Sequence, residues 1–297
     1  MKYKPQGVYK MLMDEYQADP CPEPSLSSGI IKILINECAA KARFNHPRLN
    51  PIIQTSNGSK FDLGTACHSL MLEGDNIAEP LDFDDWRTKA SKEKAGEVRN
   101  AGKIPMLRKQ YDEAMLIVSS AEEQLIESDI PFTNLIEQGD SELSYIWKEK
   151  NGVWCRIRPD WISKDRKHVV DLKFTGLNAS PYDYSRQMDN VGYDIQAAFY
   201  TRGIKKIEKV EPKFTFFVIE TSPPYLACPM SLAPAFMHLG KQKCLTAIEH
   251  WKHHLETNDW PGYPKRICYV DPPGWSATKW EERRFDMDLA AQGEGLL

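Results

Sequence analysis

Two acidic residues and a lysine stand where successive predicted strands would bring their side chains together. Asp171 and Lys173 lie two residues apart in the run His168–Thr175 (HVVDLKFT), which is rich in β-branched residues and is predicted to be a strand. Because side chains alternate along a strand, Asp171 and Lys173 point to the same face. An apolar strand is a costly place for an unpartnered carboxylate, and a divalent cation would supply the partner.

Asp160 follows Pro159 at the end of the preceding predicted strand. Proline cannot donate a ladder hydrogen bond, so it suits a strand end, an edge or a bulge. If the two strands are neighbours, a turn at 163–167 brings Asp160 close to Asp171. Converging carboxylates favour Mg²⁺ or Mn²⁺, ions that polarise a phosphoryl group and activate a bound water. The alternative is an ion pair between Asp171 and Lys173, with Asp160 as an ordinary turn residue.

Four further side chains have positions that suit either chemistry or packing. His68 lies at the edge of the apolar stripe of the predicted helix Leu63–Glu73, where a histidine is more often a core or surface residue than a ligand. Glu142 opens a predicted strand and is either a third carboxylate or an exposed strand end. Gln196 and Tyr200 are four residues apart in a predicted helix, so they share one face, and packing alone would also explain that.

The predicted elements change from helices to strands along the chain. Asn151-Gly152 between two strand-like runs is a strong hairpin signal, which makes part of the sheet antiparallel. A helix between the third and fourth strands suits a crossover connection. The predicted fold class is therefore α/β, with a mixed central β-sheet flanked by helices and an N-terminal helical region. The predicted helices cover 30–44 (with Ser27 or Ser28 as the N-cap), 63–73, 106–127, 189–203 and 230–257, and the predicted strands cover 142–149, 153–162, 168–175 and 213–220.

The composition is that of an ordinary soluble globular protein, with 41% hydrophobic and 27% charged residues among 297. No run of 18 apolar residues or signal-peptide core is present, so we expect no membrane association and a cytoplasmic location. Seven cysteines, an odd number without a C-x-x-C pair, argue against a disulfide framework, a zinc ribbon or a four-cysteine iron–sulfur site. No linker divides the chain, so one domain is predicted.

The net charge of −4 means that binding to nucleic acid would have to use a local basic patch. One segment has the required composition, and only Glu93 and Glu97 oppose its charge within it. A charge run of this kind is equally well explained as a solvated loop. The basic residues of the segment are Arg87, Lys89, Lys92, Lys94, Arg99, Lys103, Arg108 and Lys109.

Taken in order along the chain, these candidate residues resemble the motifs of the PD-(D/E)XK nucleases, and more closely those of their RecB-like branch with a Q-x-x-x-Y motif. The phrases GTACHSLMLEGD, CRIRPDW, VVDLKFTGLNAS and GYDIQAAFY are similar to RecE-type exonucleases (exonuclease VIII) of phages and prophages, and LSSGIIKIL is similar to their N-terminal helix. The resemblance covers about residues 14–262. Phe174 departs from the pattern, since the family more often has Thr there. The residues that match the family's motifs are His68, Glu142, Pro159-Asp160, Asp171-x-Lys173 and Gln196-x-x-x-Tyr200.

The resemblance implies a restriction-endonuclease-like αβββαβ core within a single nuclease domain, 1–297. It divides that domain into an N-terminal helical and loop region at 1–60, a catalytic core at 61–262 and a C-terminal extension at 263–297.

The resemblance also implies a role for each candidate residue. Two Mg²⁺ or Mn²⁺ ions are held by ligands from His68, Asp160, Asp171 and the main-chain carbonyl of Leu172. Lys173 positions or activates the attacking water, and Glu142 is a further carboxylate of the site. Gln196 and Tyr200 orient Lys173 or contact the DNA backbone.

The implied activity is digestion of one strand of linear double-stranded DNA from its 5′ end. The 3′-tailed product would pass to a RecT-type single-strand annealing protein, in the cytoplasm of a bacterium or a phage-infected host cell. A homo-oligomeric ring is a further expectation. The alternatives are another RecB-like or Cas4-like nuclease, a site-specific endonuclease, and a catalytically inactive DNA-binding module on the same fold. The missing four-cysteine cluster counts against the Cas4-like alternative.

Overall fold

The computed structural model describes residues 3–50 and 63–293. Residues 1–2, 51–62 and 294–297 lie outside this description, and with them parts of the predicted N-terminal region 1–60, catalytic core 61–262 and C-terminal extension 263–297. The chain divides into two separately packed units, residues 1–261 and 262–297. The first unit contains all the strands of the described residues, and the second contains the helix that begins at Gly274.

The strands of the first unit form three sheets. The central sheet has five strands in the order β10-β9-β8-β7-β4, in which β8 and β9 are parallel and the other neighbours are antiparallel. A second sheet has the order β1-β5-β6, and β2 pairs with β3. The strands are β1 Gly7–Tyr9, β2 Ala78–Leu81, β3 Ile104–Leu107, β4 Gly139–Ser141, β5 Ser144–Lys148, β6 Trp154–Ile157, β7 Trp161–Ser163, β8 His168–Thr175, β9 Lys213–Glu220 and β10 Ala227–Met230.

Helices cover both faces of the central sheet. The crossover from β8 to β9 is helical, as predicted, and the predicted helix Leu63–Glu73 has the bounds expected from its apolar spacing. The helices are α1 Met13–Gln17, α2 Ser28–Asn36, α3 Ala39–Asn45, α4 Leu63–Glu73, α5 Lys89–Asn100, α6 Arg108–Glu127, α7 Leu135–Gln138, α8 Pro181–Asn190, α9 Tyr193–Glu208, α10 Pro234–Thr257 and α11 Gly274–Gly293.

Strand β8 separates two hydrophobic cores because its side chains alternate. Val169 packs into a core shared with α2, α9 and α10. Val170 and Leu172 point the other way, into a core shared with α4 and α6. This arrangement confirms the predicted α/β class, a mixed sheet flanked by helices.

The predicted strand 153–162 is wrong as a single element, because it is two strands in two different sheets. β6 ends at Ile157 and pairs with β5 in the predicted hairpin, in which Gly152 has a φ of +98°. β7 begins at Trp161 and pairs with β8 in the central sheet. Pro159 lies between them and has no N–H to continue a ladder, so the chain changes sheets there. The predicted hairpin therefore lies outside the central sheet.

Two predicted helices are each divided into two. Ser27 caps α2, its Oγ accepting from the Ile30 N–H at 3.4 Å, but this helix ends at Asn36, and Cys38 has the extended backbone that starts α3. The predicted helix 189–203 combines parts of α8 and α9. Gly192 separates them with a left-handed backbone, φ +68°, which glycine adopts at little cost.

The seven cysteines are all free. Among the helices of the described residues, none has the length and apolar character needed to cross a membrane. The second unit contains α11, on which the aromatic side chains of Trp275, Trp280 and Phe285 are exposed.

Candidate active site

The candidate site lies where β8 extends beyond its short neighbour β7. The two strands pair only at Trp161 with Val170 and at Ile162 with Val169, so the next residues of β8 have no ladder partner on that side. The Leu172 N–H donates instead to Asp160 Oδ2, at 2.9 Å. The change of sheets before β7 thus places the Asp160 carboxylate where a strand backbone would otherwise lie.

His68 approaches the same carboxylate from α4, which packs against β8. Its Nε2 lies 3.2 Å from Asp160 Oδ2. Burial disfavours the charged imidazole, but the hydrogen bond to Asp160 and the charge of Asp160 outweigh burial and raise the pKa of His68. The same contact lowers the pKa of Asp160, although burial alone would raise it. The structure therefore brings together His68 and Asp160, which are far apart in sequence.

Asp171 is fully buried and has a partner for each oxygen. Lys173 Nζ forms an ion pair with Oδ1, and Gln196 Nε2 donates to Oδ2 at 2.7 Å. Burial, followed by the charge of Asp160, raises the pKa of Asp171 to about 6. The buried carboxylate of Asp171, the half-buried carboxylate of Asp160 and one lysine thus lie close together, where a second positive charge would be stabilised.

Gln196 and Tyr200 lie on one face of α9 but contact different partners. Gln196 reaches Asp171, as described above, and not Lys173. Tyr200 is buried one turn later, with Ser28 of the first turn of α2 near its hydroxyl. Burial raises the pKa of Tyr200 well above its ordinary value. Tyr200 therefore joins α9 to α2, whereas Gln196 holds one metal-ligand candidate.

Glu142 precedes β5 at a bend with a φ of +56° and does not open the strand. Its N–H donates to the Asp160 carbonyl oxygen at 2.8 Å, which joins the two residues through the backbone. Its carboxylate accepts from Arg158 Nη2 at 2.5 Å. Glu142 is thus beside the site as the partner of an arginine.

A cleft of about 590 Å³ exposes these groups, with His68, Glu142, Asp160 and Lys173 in its wall. Glu73, the last residue of α4, also lines it and was not among the sequence candidates. Burial and the Glu142 charge raise the pKa of Glu73. A larger cavity of about 880 Å³ lies at the opposite ends of β8 and β9 and contains none of the predicted site residues.

Comparison with known proteins decides the family. A family model described as a PDDEXK-like domain of unknown function matches residues 27–273. The chain belongs to this family. Among solved structures, it is similar to an exonuclease candidate from Eubacterium rectale, with a TM-score of 0.54 and 12% identity over 91% of this chain and 98% of that one, a likeness of fold. No curated protein matches the sequence.

The site of this PDDEXK-like domain offers donors of the kind that Mg²⁺ or Mn²⁺ takes. They are the carboxylates of Asp160 and Asp171, the imidazole of His68 and the carbonyl of Leu172. Burial and then the charge of Asp160 raise the pKa of Asp171, and a cation would favour the ionised form of both carboxylates. Among the described residues, no three His, Cys, Asp or Glu side chains already surround one point. The chemical types of these donors suit Mg²⁺ or Mn²⁺. In this structure the Lys173 ammonium takes the place beside Asp171 that a cation would take.

A lysine of the PDDEXK-like domain that the sequence candidates did not include lies near Lys173. Lys32 is half-buried on α2, and its Nζ lies 5.4 Å from the centroid of the Tyr193 ring. Lys173 Nζ lies 5.2 Å from the same centroid. Burial, followed by the charge of Lys173, lowers the pKa of Lys32 to about 8. A lone lysine within the apolar run SGIIKILIN was the signal available in the sequence.

The basic segment 87–109 carries less free charge than its sequence indicates. Its residues Arg87, Lys94 and Arg108 lie 3.1, 2.8 and 2.9 Å from Asp85, Glu97 and Asp82, respectively. Lys89 and Lys103 are paired similarly. Three of the acidic partners, Asp85, Glu79 and Asp82, lie outside the segment, so a count of the opposing charges within it does not give its free charge. The unpaired basic residues, as far as the described chain shows, are Lys92, Arg99 and Lys109.

Proposed function

We propose that this PDDEXK-like domain is a metal-dependent exodeoxyribonuclease that acts on linear double-stranded DNA. The observation that carries the proposal is the convergence of three charged residues: Asp160 and Lys173 line one cleft, and the buried Asp171 lies behind it as the partner of Lys173. His68 contacts Asp160, and Gln196 contacts Asp171. The family and the fold of the exonuclease candidate support a nuclease. The exonuclease mode comes from the resemblance to RecE-type enzymes.

The proposed cofactor is Mg²⁺ or Mn²⁺, as two ions, held by His68, Asp160, Asp171 and the Leu172 carbonyl. When bound, such ions polarise the scissile phosphoryl group and lower the pKa of a coordinated water. Asp171 would hold a cation in place of Lys173, and the hydrogen bond from Gln196 would keep its carboxylate oriented.

Lys173, which lines the cleft, is proposed to be the chain's own source of positive charge at the reacting phosphate. It stabilises the negative charge that develops on the phosphoryl oxygens. His68 and the Leu172 N–H hold the Asp160 carboxylate in place. Glu142 is proposed to act indirectly, because its carboxylate is taken by Arg158.

The proposed polarity is 5′→3′, leaving 3′ tails for a RecT-type annealing protein in the cytoplasm of a bacterium or an infected host. A charge argument adds support for action at an end. The chain is acidic overall, and five of the eight basic residues in segment 87–109 are paired. Since non-specific affinity for duplex comes from phosphate neutralisation, this chain gains most by enclosing an end, for which a homo-oligomeric ring is proposed.

A strand-labelled digestion tests the proposal. Linear duplex labelled at its 5′ or 3′ end and closed circular duplex are incubated with Mg²⁺, Mn²⁺ or excess EDTA, without ATP. We expect early loss of the 5′ label, resistance of the circle and no cleavage in EDTA. An ATP requirement is not expected, since the sequence has no G-x-x-x-x-G-K-[S/T] loop.

Each other result identifies a different function. Rapid nicking of closed circles indicates an endonuclease, and early loss of the 3′ label reverses the polarity. DNA binding without cleavage under either metal indicates an inactive binding module. Undiminished cleavage in EDTA contradicts the metal requirement.

A further inference from the structure

Lys32 is a positive charge beside the candidate site for which the described residues supply no anionic partner. The described residues place no carboxylate oxygen within 4.0 Å of its Nζ. Asp194 is near enough to affect its charge, but the Asp194 carboxylate lies 2.7 Å from Lys243 Nζ. Lys173, by contrast, has Asp171. A half-buried ammonium without a counter-ion costs folding free energy, so its presence calls for a function.

Packing of its aliphatic stem fixes the position of Lys32, and the fold therefore sets where its ammonium group lies. A Cβ placed on Gly192 would lie 3.2 Å from Lys32 Cγ and 3.5 Å from Cδ and Cε, so the aliphatic stem lies directly on this glycine. The ammonium then contacts the Tyr193 ring, which stacks on Phe216 of β9. Ser28, one turn earlier on α2, lies near the Tyr200 hydroxyl, where α2 packs against α9.

Lys32 and Lys173 contact the same aromatic ring from different elements. Burial is the main cause of the lowered pKa of Lys32, and the charge of Lys173 lowers it further, so the two ammonium groups repel each other. Ammonium groups donate hydrogen bonds and cannot ligate a cation, so a ligand shared between them must carry anionic oxygens. A phosphate group of a DNA strand has this chemistry and is present wherever the proposed substrate binds.

We propose that Lys32 binds a backbone phosphate of the DNA strand that is cut, next to the phosphate attacked at the aspartates. This inference rests on the proposed function and adds a substrate-binding residue to it. Lys32 then acts on affinity for DNA, while Lys173 acts on the chemical step. The cost of holding Lys32 unpaired in the free protein is recovered when the strand binds.

The test compares Lys32→Met with Lys32→Arg and with Lys150→Met. Methionine keeps the stem on Gly192 and removes the charge, arginine keeps the charge, and Lys150 is an exposed lysine of the β5–β6 turn whose loss changes the net charge equally. The dissociation constant for linear duplex is measured in EDTA, which prevents metal-dependent cleavage, across a range of salt concentrations.

We expect Lys32→Met to bind about tenfold more weakly, the loss typical of a charge-assisted hydrogen bond. Its salt slope should fall in magnitude by about 0.9 for the one phosphate lost. Lys32→Arg and Lys150→Met should bind like the wild type. The melting temperature of Lys32→Met should equal or exceed that of the wild type, because a like-charge contact is removed, whereas a structural lysine would lower it.

Parallel measurements on duplexes with 5′-phosphate and 5′-hydroxyl ends identify which phosphate is bound. An equal loss on both duplexes supports the backbone phosphodiester proposed here, and a loss confined to the 5′-phosphate duplex would overturn it in favour of the terminal group. Wild-type affinity and slope in Lys32→Met would overturn the inference while wild-type cleavage with Mg²⁺ leaves the proposed function standing. Failure of the wild type to cleave linear duplex with either Mg²⁺ or Mn²⁺ would overturn the proposed function and this inference with it.

Discussion

Among individual residues, Asp171 has contacts that explain how its buried charge is tolerated and why it suits a metal site. It is fully buried, and its oxygens are held by Lys173 and Gln196 from two different elements. A buried carboxylate stays ionised only while a positive charge is close to it. The same electrostatics that favour the lysine therefore favour a metal ion.

Removing either charge of this pair should slow cleavage severely without unfolding the chain. We expect Asp171→Asn and Lys173→Met each to lower the turnover number by about 10²–10³, the effect of losing one electrostatic group at a reacting centre. Initial rates on linear duplex measure it, with melting temperature as the folding check. Lys213→Met, an exposed lysine at the start of β9, is the control and should retain full activity. Wild-type turnover in either site variant would place the chemistry elsewhere.

The metal concentration that cleavage requires should depend on pH, because Asp171 must be ionised to bind a cation. Its pKa is raised to about 6 by burial and by Asp160, and only the ionised carboxylate ligates a cation. The raised pKa of His68 acts in the same direction, because a protonated imidazole cannot ligate. The Mg²⁺ concentration for half-maximal rate should therefore be higher at pH 5.5 than at pH 8. A half-maximal concentration that does not change across this range would contradict this assignment.

At the scale of elements, the contact between α9 and α10 sets the position of Gln196. A Cβ on Gly240 would lie 2.2 Å from the Asp194 carbonyl oxygen and 3.2 Å from Ala198 Cβ, so only glycine permits this approach. Gly240→Ala should lower the free energy of unfolding by about 1–3 kcal/mol. Denaturant unfolding measures it.

The matched control for this substitution is Gly96→Ala in α5. No atom lies within 4 Å of a Cβ built there, so this change should stabilise the chain by about 0.5–1 kcal/mol. Equal stability of the two variants would mean that α10 can move away from α9 at no cost.

The hairpin is joined to α9 by Glu149. Its carboxylate accepts from Trp147 Nε1 at 2.8 Å and from Arg202 Nε and Nη2 at 2.7 and 2.9 Å. Burial alone would raise the pKa of Glu149, but these hydrogen bonds lower it to about 2. Because the folded value lies below the ordinary one, the stabilisation is present above about pH 4.5 and is lost as pH falls towards 2.

Glu149→Gln should therefore destabilise the chain by about 1–3 kcal/mol at pH 7, and the difference from the wild type should shrink as pH falls below 4.5. Glu249→Gln is the control, since Glu249 is exposed and can accept from Asn151 in either form. Urea unfolding at several pH values measures both. A difference that is constant with pH would show that Glu149 acts by packing and not by charge.

For the whole molecule, the first unit contains every predicted site residue and both large cores. A chain that ends at Pro261 should keep its melting temperature and its metal-dependent cleavage. A chain that ends at residue 249 should fail to fold, because it lacks Trp251, which is fully buried and donates to the Pro24 carbonyl. Loss of folding on removal of 262–297 would show that the first unit depends on the second.

Features that depend on neighbours along the chain could be predicted from the sequence. The common face of Asp171 and Lys173, the bounds of Leu63–Glu73 and the hairpin at Asn151-Gly152 follow from periodicity and turn chemistry, which act over a few residues. The order of the motifs was also enough to indicate the PD-(D/E)XK pattern. The class of chemistry can therefore be predicted from local residue types and their spacing.

Only the tertiary structure decided which distant groups meet. It divided the predicted strand 153–162 between two sheets, so that Asp160 accepts from the Leu172 N–H. It paired Glu142 with Arg158 and brought Lys32 to the ring that Lys173 contacts. Contacts of this kind depend on how whole helices and strands pack. The sequence shows which residues are charged, but not the distances between them in the folded chain.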